Sequence, residues 1–137
     1  MKITSAEQYR RYYETGEMGA KLTYMEAEDS IWREIISTSD EKLRACVARN
    51  KTIDLSLIRE LSKDESHRVR RAIATKRKTP PDVLLALARD PNRYIRRKVA
   101  LNPTVPTEIL EYLLEDEWEC IRKRAEKRLH QRQDEGD

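Results

Sequence analysis

Phenylalanine is absent from this 137-residue chain, and aromatic residues of every kind make up 6% of it. A close-packed core must then be assembled from leucine, isoleucine, valine and alanine. Glycine is nearly as scarce: Gly16, Gly19 and Gly136 are the three, and none lies between residues 20 and 135. Their absence excludes a glycine-rich phosphate loop from that long segment and argues against a strand-and-turn protein. No apolar run approaches the roughly 20 residues needed to span a bilayer. Met1-Lys2-Ile3-Thr4-Ser5 leads into a polar segment, not into the apolar stretch of a signal peptide. The two cysteines, Cys46 and Cys120, stand far apart and form no CxxC pair. They read as free thiols of a reducing compartment, which places the protein in the cytoplasm, with no disulfide, metal or cofactor expected. None is needed, because a single domain of this length buries about two-thirds of its unfolded surface.

Charge is abundant. Charged residues make up 39% of the chain, well above the usual ~25%. That suits either a disordered chain or thin helices with much exposed surface, and regular apolar spacing selects the helices. Leu43, Val69, Ile95 and Ile121 stand 26 residues apart, and each is followed by arginine: Arg44, Arg70, Arg96 and Arg122. Val47, Ile73, Val99 and Ala125 form a second apolar column, and Leu61, Leu87 and Leu113 a third, which Ile35 extends backwards. Ile31, Leu57, Val83 and Ile109 form another, beside Trp32, Ile58, Leu84 and Leu110. Asp64, Asp90 and Asp116 make an acidic column, with Thr38 in its first place. Ala48, Ala74 and Ala100 recur likewise until Glu126 breaks the series. A fixed period of this size is the signature of a solenoid.

Each unit reads as two short helices. In one of them Val83, Leu84 and Leu87 are spaced i, i+1, i+4 behind Pro80-Pro81, a single stripe behind a proline start. Asp90-Pro91 stops that helix and Asn102-Pro103 stops the next, because a residue before proline avoids the helical region. The phasing predicts first helices near 29–37, 55–62, 81–88 and 107–115, and second helices near 41–50, 67–77, 93–102 and 119–130. A further helix is expected over 4–14, capped by Ser5 and ended at Gly16 and Gly19. Its Ala6, Tyr9, Tyr12 and Tyr13 would cover one end of the stack. The expected fold is therefore all-α: a right-handed α-solenoid of about four two-helix 26-residue repeats with an N-terminal capping helix. Residues 1–27 are the capping segment, 28–130 the repeat domain and 131–137 a polar tail.

The run Leu87-Ala88-Arg89-Asp90-Pro91, then Ile95-Arg96, Val99-Ala100, Asn102-Pro103, Pro106 and Ile109-Leu110, resembles the leucine-rich-repeat variant family and the wider HEAT-like class of helical repeats. The resemblance covers about residues 28–128 and is specific for architecture. It implies an inter-unit ladder of the Asp and Arg columns. The variant family's N-terminal cysteine cluster is missing here, so the resemblance brings no iron–sulfur centre with it. Thr38, Ile53-Asp54 and Glu126 depart from the unit pattern, as terminal repeats do.

Two readings compete for the arginine column. Four guanidiniums in a row could face an anionic partner, or Arg70, Arg96 and Arg122 could pair with Asp64, Asp90 and Asp116 as a structural ladder. We assign them to the ladder. The candidate partner-binding residues lie instead on the opposite stripe of the second helices, which reads Lys42, Ala45, Arg49; Arg68, Arg71, Thr75; Tyr94, Arg97, Leu101; Cys120, Lys123, Lys127. Of these, Arg68, Arg71, Tyr94, Arg97, Leu101, Lys123 and Lys127 form a basic strip with an aromatic and an aliphatic residue near its middle, a hot-spot composition. The band 67–102 carries 11 basic residues against 2 acidic. Trp32 falls in an apolar column and reads as core. Trp118 either caps the stack or contacts a partner.

Catalytic patterns are thin. His67 and His130 stand near opposite edges of the array, no HExxH occurs, and the paired carboxylates sit in charged stretches where no burial would tune an acid. The expected function is therefore non-catalytic protein binding by a monomer. Small proteins of this look include bacterial immunity proteins, so the specific expectation is an immunity protein that covers and neutralises a cognate toxin, a nuclease among the candidates. The alternatives are a nucleic-acid-binding HEAT-like protein and a structural adaptor in a larger assembly.

Overall fold

A computed structural model describes residues 2–38 and 40–135. Met1, Ser39, Gly136 and Asp137 lie outside the described residues, and with them the first residue of the capping segment and the end of the polar tail. Within the described residues the chain is all-helical, with one isolated backbone pairing, Ile3 N–H to the Glu26 carbonyl at 2.7 Å, and no strand. The α-helices are α1 (Ala6–Thr15), α2 (Asp29–Ile36), α3 (Glu41–Arg49), α4 (Leu55–Leu61), α5 (His67–Thr75), α6 (Pro81–Leu87), α7 (Arg93–Leu101), α8 (Thr107–Leu113) and α9 (Glu119–Asp134). From α3 onward, helix starts recur at 26-residue intervals in two interleaved series. The chain divides into two compact units, Met1–Ile73 and Ala74–Asp137.

Local chemistry sets the helix ends. Ser5 Oγ accepts from the Gln8 N–H at 3.0 Å, and Gly16 closes α1 at φ 69°, a left-handed conformation that glycine adopts without a Cβ penalty. Asp40 caps α3 by accepting from the Lys42 and Leu43 amides, and Asn92 caps α7 through the Tyr94 amide. Pro81 starts α6 at a position whose N–H has no helical partner. In the first unit Trp32, Ile35, Leu43, Val47, Leu57, Ile58, Leu61, Val69 and Ile73 are buried, and in the second Val83, Leu84, Leu87, Ile95, Val99, Ile109, Leu110, Leu113 and Ile121. Each such side chain contributes about 1.5–3 kcal/mol on leaving water. Tyr9 of α1 is wholly buried, edge-on to Trp32 at 5.3 Å.

One guanidinium contact recurs through the arginine column. Arg44 donates Nη1–H to the Thr38 carbonyl, Arg70 to Asp64, Arg96 to Asp90 and Arg122 to Asp116, at 2.7–2.9 Å, always six residues back. The acceptor is main chain, so Thr38 serves as well as aspartate. The carboxylates act elsewhere. Asp64 takes Arg44 Nε at 2.9 Å and Nη2 at 3.1 Å, and Asp116 takes Arg96 Nε at 2.8 Å and Nη2 at 3.4 Å. Thus the Arg70–Asp64, Arg96–Asp90 and Arg122–Asp116 pairs drawn from sequence meet at main-chain carbonyls, whereas the carboxylate forks bridge residues 20 apart. The Asp116 and Asp64 carboxylates, by hydrogen bonding to the charged form, hold Arg96 and Arg44 above the ordinary guanidinium range.

An asparagine joint, unread in the sequence, works alongside. Asn50 Nδ2 donates to the Leu22 and Met25 carbonyls, and Asn102 Nδ2 to those of Ala74 and Lys76. Their Oδ1 atoms accept from the amide and hydroxyl of Thr52 and Thr104, so both buried amides are satisfied. Arg128 stands 26 residues beyond Asn102 and spans the Ala100 and Asn102 carbonyls at 2.7 Å.

Three differences from the sequence reading have physical causes. A 3-10 helix, Gly19–Tyr24, occupies what the glycines marked as a turn, and Asn50 holds its Leu22 carbonyl. Helix α9 continues to Asp134, beyond 130, because Arg132 reaches the Val105 carbonyl and the Thr107 hydroxyl. Ala45, placed on the outward stripe, is buried, and beside it Cys46 Sγ accepts the Tyr9 hydroxyl at 3.1 Å. The capping helix therefore covers the α3 face as well as core.

Candidate functional site

Arg93, Tyr94, Arg97 and Leu101 share one stripe of α7, since spacings of 1, 4 and 8 fall within about a quarter-turn. Tyr94 is 53% exposed, whereas Arg97 and Leu101 are half-buried. Tyr94 lies edge-on to Trp118, which precedes α9, with ring centroids 5.4 Å apart. The Arg93 guanidinium carbon sits 4.5 Å from the Trp118 ring centre and 5.5 Å from that of Tyr94. Each contact lies within the range where a ring face attracts a cation. A similar pair, Arg89 over Tyr112 at 5.6 Å, lies in the same unit.

Trp118 replaces a helix cap. The residues at 26-residue steps before it are Asn92, Ser66 and Asp40. Asn92 and Asp40 cap their helices through side-chain oxygens, and Ser66 Oγ accepts from the Arg68 amide at 3.2 Å. Trp118 makes no side-chain cap bond. Exchanging such a cap for a residue without an acceptor costs about 1 kcal/mol. In return the tryptophan provides a half-buried ring on which Arg93 and Tyr94 rest.

Two of the other strip residues have acidic neighbours. Lys123 bonds Glu119 at 3.1 Å, and by that hydrogen bond and charge draws the Glu119 carboxyl below its ordinary range. In the first unit Arg68 lies 3.7 Å from Glu41, and Arg71 is exposed on the same helix. Lys127 is exposed on α9. Among the described residues Arg93 and Arg97 meet no carboxylate, although they lie i, i+4 on one helix, where like charges repel. Of the seven strip residues, then, the structure joins Tyr94 to Trp118 and to Arg93, the latter absent from the sequence-derived strip. Lys123 and Arg68 have acidic neighbours. The ladder residues Arg96, Asp90 and Asp116 are engaged in joints, with Arg96 and Asp90 buried.

Elsewhere in the second unit a groove of about 380 Å³ lies between α8 and α9, lined by Thr107, Glu111, Leu114, Glu126, Leu129 and His130 among others. It carries charges of both signs and brings no set of buried polar groups to one point. Among the described residues no cluster of His, Cys, Asp and Glu could hold a metal, and no helix is long and apolar enough to cross a membrane. Compared with protein-family models, curated proteins and solved structures, the chain matches none.

Proposed function

We propose that the chain is a non-catalytic protein-binding module whose 26-residue units stack as a right-handed α-solenoid of the HEAT-like, leucine-rich-repeat-variant kind. The recurring helix starts and the repeated Arg-to-carbonyl contact support the repeat. About four two-helix units then follow the α1 cap. Binding is assigned to the basic face of α7 and α9, and the partner to a protein with an acidic surface. The observation that carries this is the Arg93–Tyr94–Trp118 cluster, in which Arg93 and Tyr94 are exposed and the arginine has no acidic neighbour among the described residues. Trp, Tyr and Arg are the side chains most enriched among residues that dominate interface energies. Its most specific form is an immunity protein of the bacterial cytoplasm that covers the working surface of a toxin. Within the same unit Lys127, exposed on α9, adds electrostatic attraction.

Arg97→Glu combined with Tyr94→Ala tests the assignment. Capture of the native partner by the tagged chain should be lost, with helicity unchanged and melting lowered by only a few degrees, because the pair removes one ring contact and no fully buried side chain. Binding that survives the pair would place the face elsewhere. A nucleic-acid reading draws on the basic excess of 67–102. It requires binding to duplex DNA or RNA that weakens steeply with salt. Partner capture that persists after nuclease treatment, with no such binding, selects the protein reading.

A further inference from the structure

The stacked arginine also indicates what the partner brings. We propose that Arg93 is a carboxylate receptor, its guanidinium positioned over the Trp118 ring so that its N–H donors receive one aspartate or glutamate side chain of the partner. This rests on the protein-binding reading and specifies its chemistry. The Arg93 guanidinium carbon lies 4.5 Å from the Trp118 ring centre and 5.5 Å from that of Tyr94, so two rings border the fork and limit the space it can sample. Stacking uses the face of a guanidinium and leaves its five donors at the edge. No acceptor within the described residues takes them. The contrast with Arg96 is direct: that side chain is buried, and its fork is already closed on Asp116 at 2.8 and 3.4 Å. Arg93 offers the same geometry at the surface with the carboxylate missing. Restraining the fork before binding lowers the ordering cost on association.

A carboxylate is favoured over a nucleic-acid phosphate by the state of the rings. Sequence-tolerant nucleic-acid sites present free aromatic faces for base stacking. Here Arg93 occupies a face of the half-buried Trp118, and Tyr94 is engaged edge-on with the same indole. What the rings leave open is apolar edge beside a fork. That suits an acidic side chain flanked by an aliphatic one, which the Tyr94 ring would border.

The test uses the full chain, nitrogen-labelled, titrated with poly-L-glutamate while the Arg93 Nε–H and Trp118 indole N–H resonances are followed. Both should shift together. Arg93→Lys, which keeps the charge but loses the fork, should weaken binding by about tenfold, whereas Arg89→Lys, at an exposed arginine over Tyr112 outside the strip, should change it by less than about twofold. Equal losses in the two variants, with shifts still on α7, would show diffuse attraction and overturn the fork, while leaving the α7 face assigned. Shifts confined to residues away from α7 and α9 would overturn both the fork and the face. Tighter binding to a single-stranded DNA of equal charge, with the same Arg93 dependence, would overturn the carboxylate and point to phosphate.

Discussion

Replacing Asp116 by asparagine isolates the charge of one buried joint. The carboxylate takes a fork from Arg96 and also accepts the Trp118 amide at 2.8 Å, a bond that asparagine can keep. The side chains of Arg96 and Asp116 are 9% and 5% exposed. The substitution therefore leaves a guanidinium in a nearly dry site with two main-chain acceptors, Asp90 and Pro91, and with the exposed Glu117, 3.5 Å away, as its nearest remaining counter-charge. Removing one partner of a buried pair costs about 3–5 kcal/mol, a large part of the ~5–15 kcal/mol that holds a domain together. At roughly 3–5 °C per kcal/mol for a chain of this size, melting should fall by about 10–20 °C. Circular dichroism and calorimetry would read it. Adding Arg96→Met should recover part of the loss, because the double variant no longer buries an unpaired charge; the coupling between the two changes should exceed about 1 kcal/mol. The exposed fan of Arg33 on Asp29 and Glu60 is the internal control: Glu60→Gln should leave melting unmoved, since water replaces the lost acceptor. A loss below about 1 kcal/mol for Asp116→Asn, or strict additivity with Arg96→Met, would refute the reasoning, because solvent would then be reaching the guanidinium.

Three further outcomes follow from the same geometry. Leu87→Ala, at a side chain 3% exposed, should cost about 2–5 kcal/mol in chemical denaturation, and a loss below about 1 would mean that the inner stripe is misassigned. Trp118→Asn restores the acceptor found at Asn92 and should change stability by less than about 1 kcal/mol, the regained cap offsetting the lost ring contacts, while partner capture is abolished; retained capture would remove Trp118 from the interface. Desolvation by burial, and then the neighbouring Cys46, push the Tyr9 phenol above its ordinary value. A raised folded value favours the neutral phenol, so this contribution is complete below about pH 10 and is lost as pH climbs towards the folded value. Phenolate absorbance of Tyr9 should accordingly appear together with loss of helicity in alkaline titration, and Tyr9→Phe should lessen the alkaline sensitivity; ionisation of Tyr9 with helicity intact would contradict its burial.

Much of the helical arrangement was legible because two signals agree at each boundary. Ser5 before Ala6 and Gly16 after Thr15 mark α1 by a hydrogen-bond acceptor and a left-handed stop, and the structure uses both. The pairs Pro80-Pro81 and Asn102-Pro103 act through backbone sterics that need no tertiary context. Val83, Leu84 and Leu87 lie on one stripe, and each is buried. Tertiary contacts hid the rest. The burial of Ala45 and the Tyr9–Cys46 contact beside it are tertiary, and nothing in the spacing within α3 encodes them. The carboxylate partner of Arg96 stands 20 residues ahead, whereas the acidic column nearest in sequence lies six residues behind. Periodicity alone does not choose between two aspartates of the same column.

Columns also held a signal that apolar periodicity overlooks. Reading 40, 66, 92 and 118 as a series gives Asp, Ser, Asn and Trp. Three are short polar residues able to accept an amide hydrogen, and the fourth is the residue least suited to that task. Position 50 and its successors read Asn, Lys, Asn and Arg, and there Arg128 keeps the task of spanning two carbonyls by other means. A departure of that second kind preserves a joint. The departure at 118 gives one up, and the tryptophan it introduces becomes the floor under Arg93. Local rules are broken without local compensation mainly where function gains from it. Exposure alone does not make that distinction: Tyr24 is 64% exposed, more than Tyr94 at 53%, yet it interrupts no capping series. The proposed binding site accordingly lies at the start of α7 and the turn before α9, where a lost cap, an exposed tyrosine and an arginine without a carboxylate coincide.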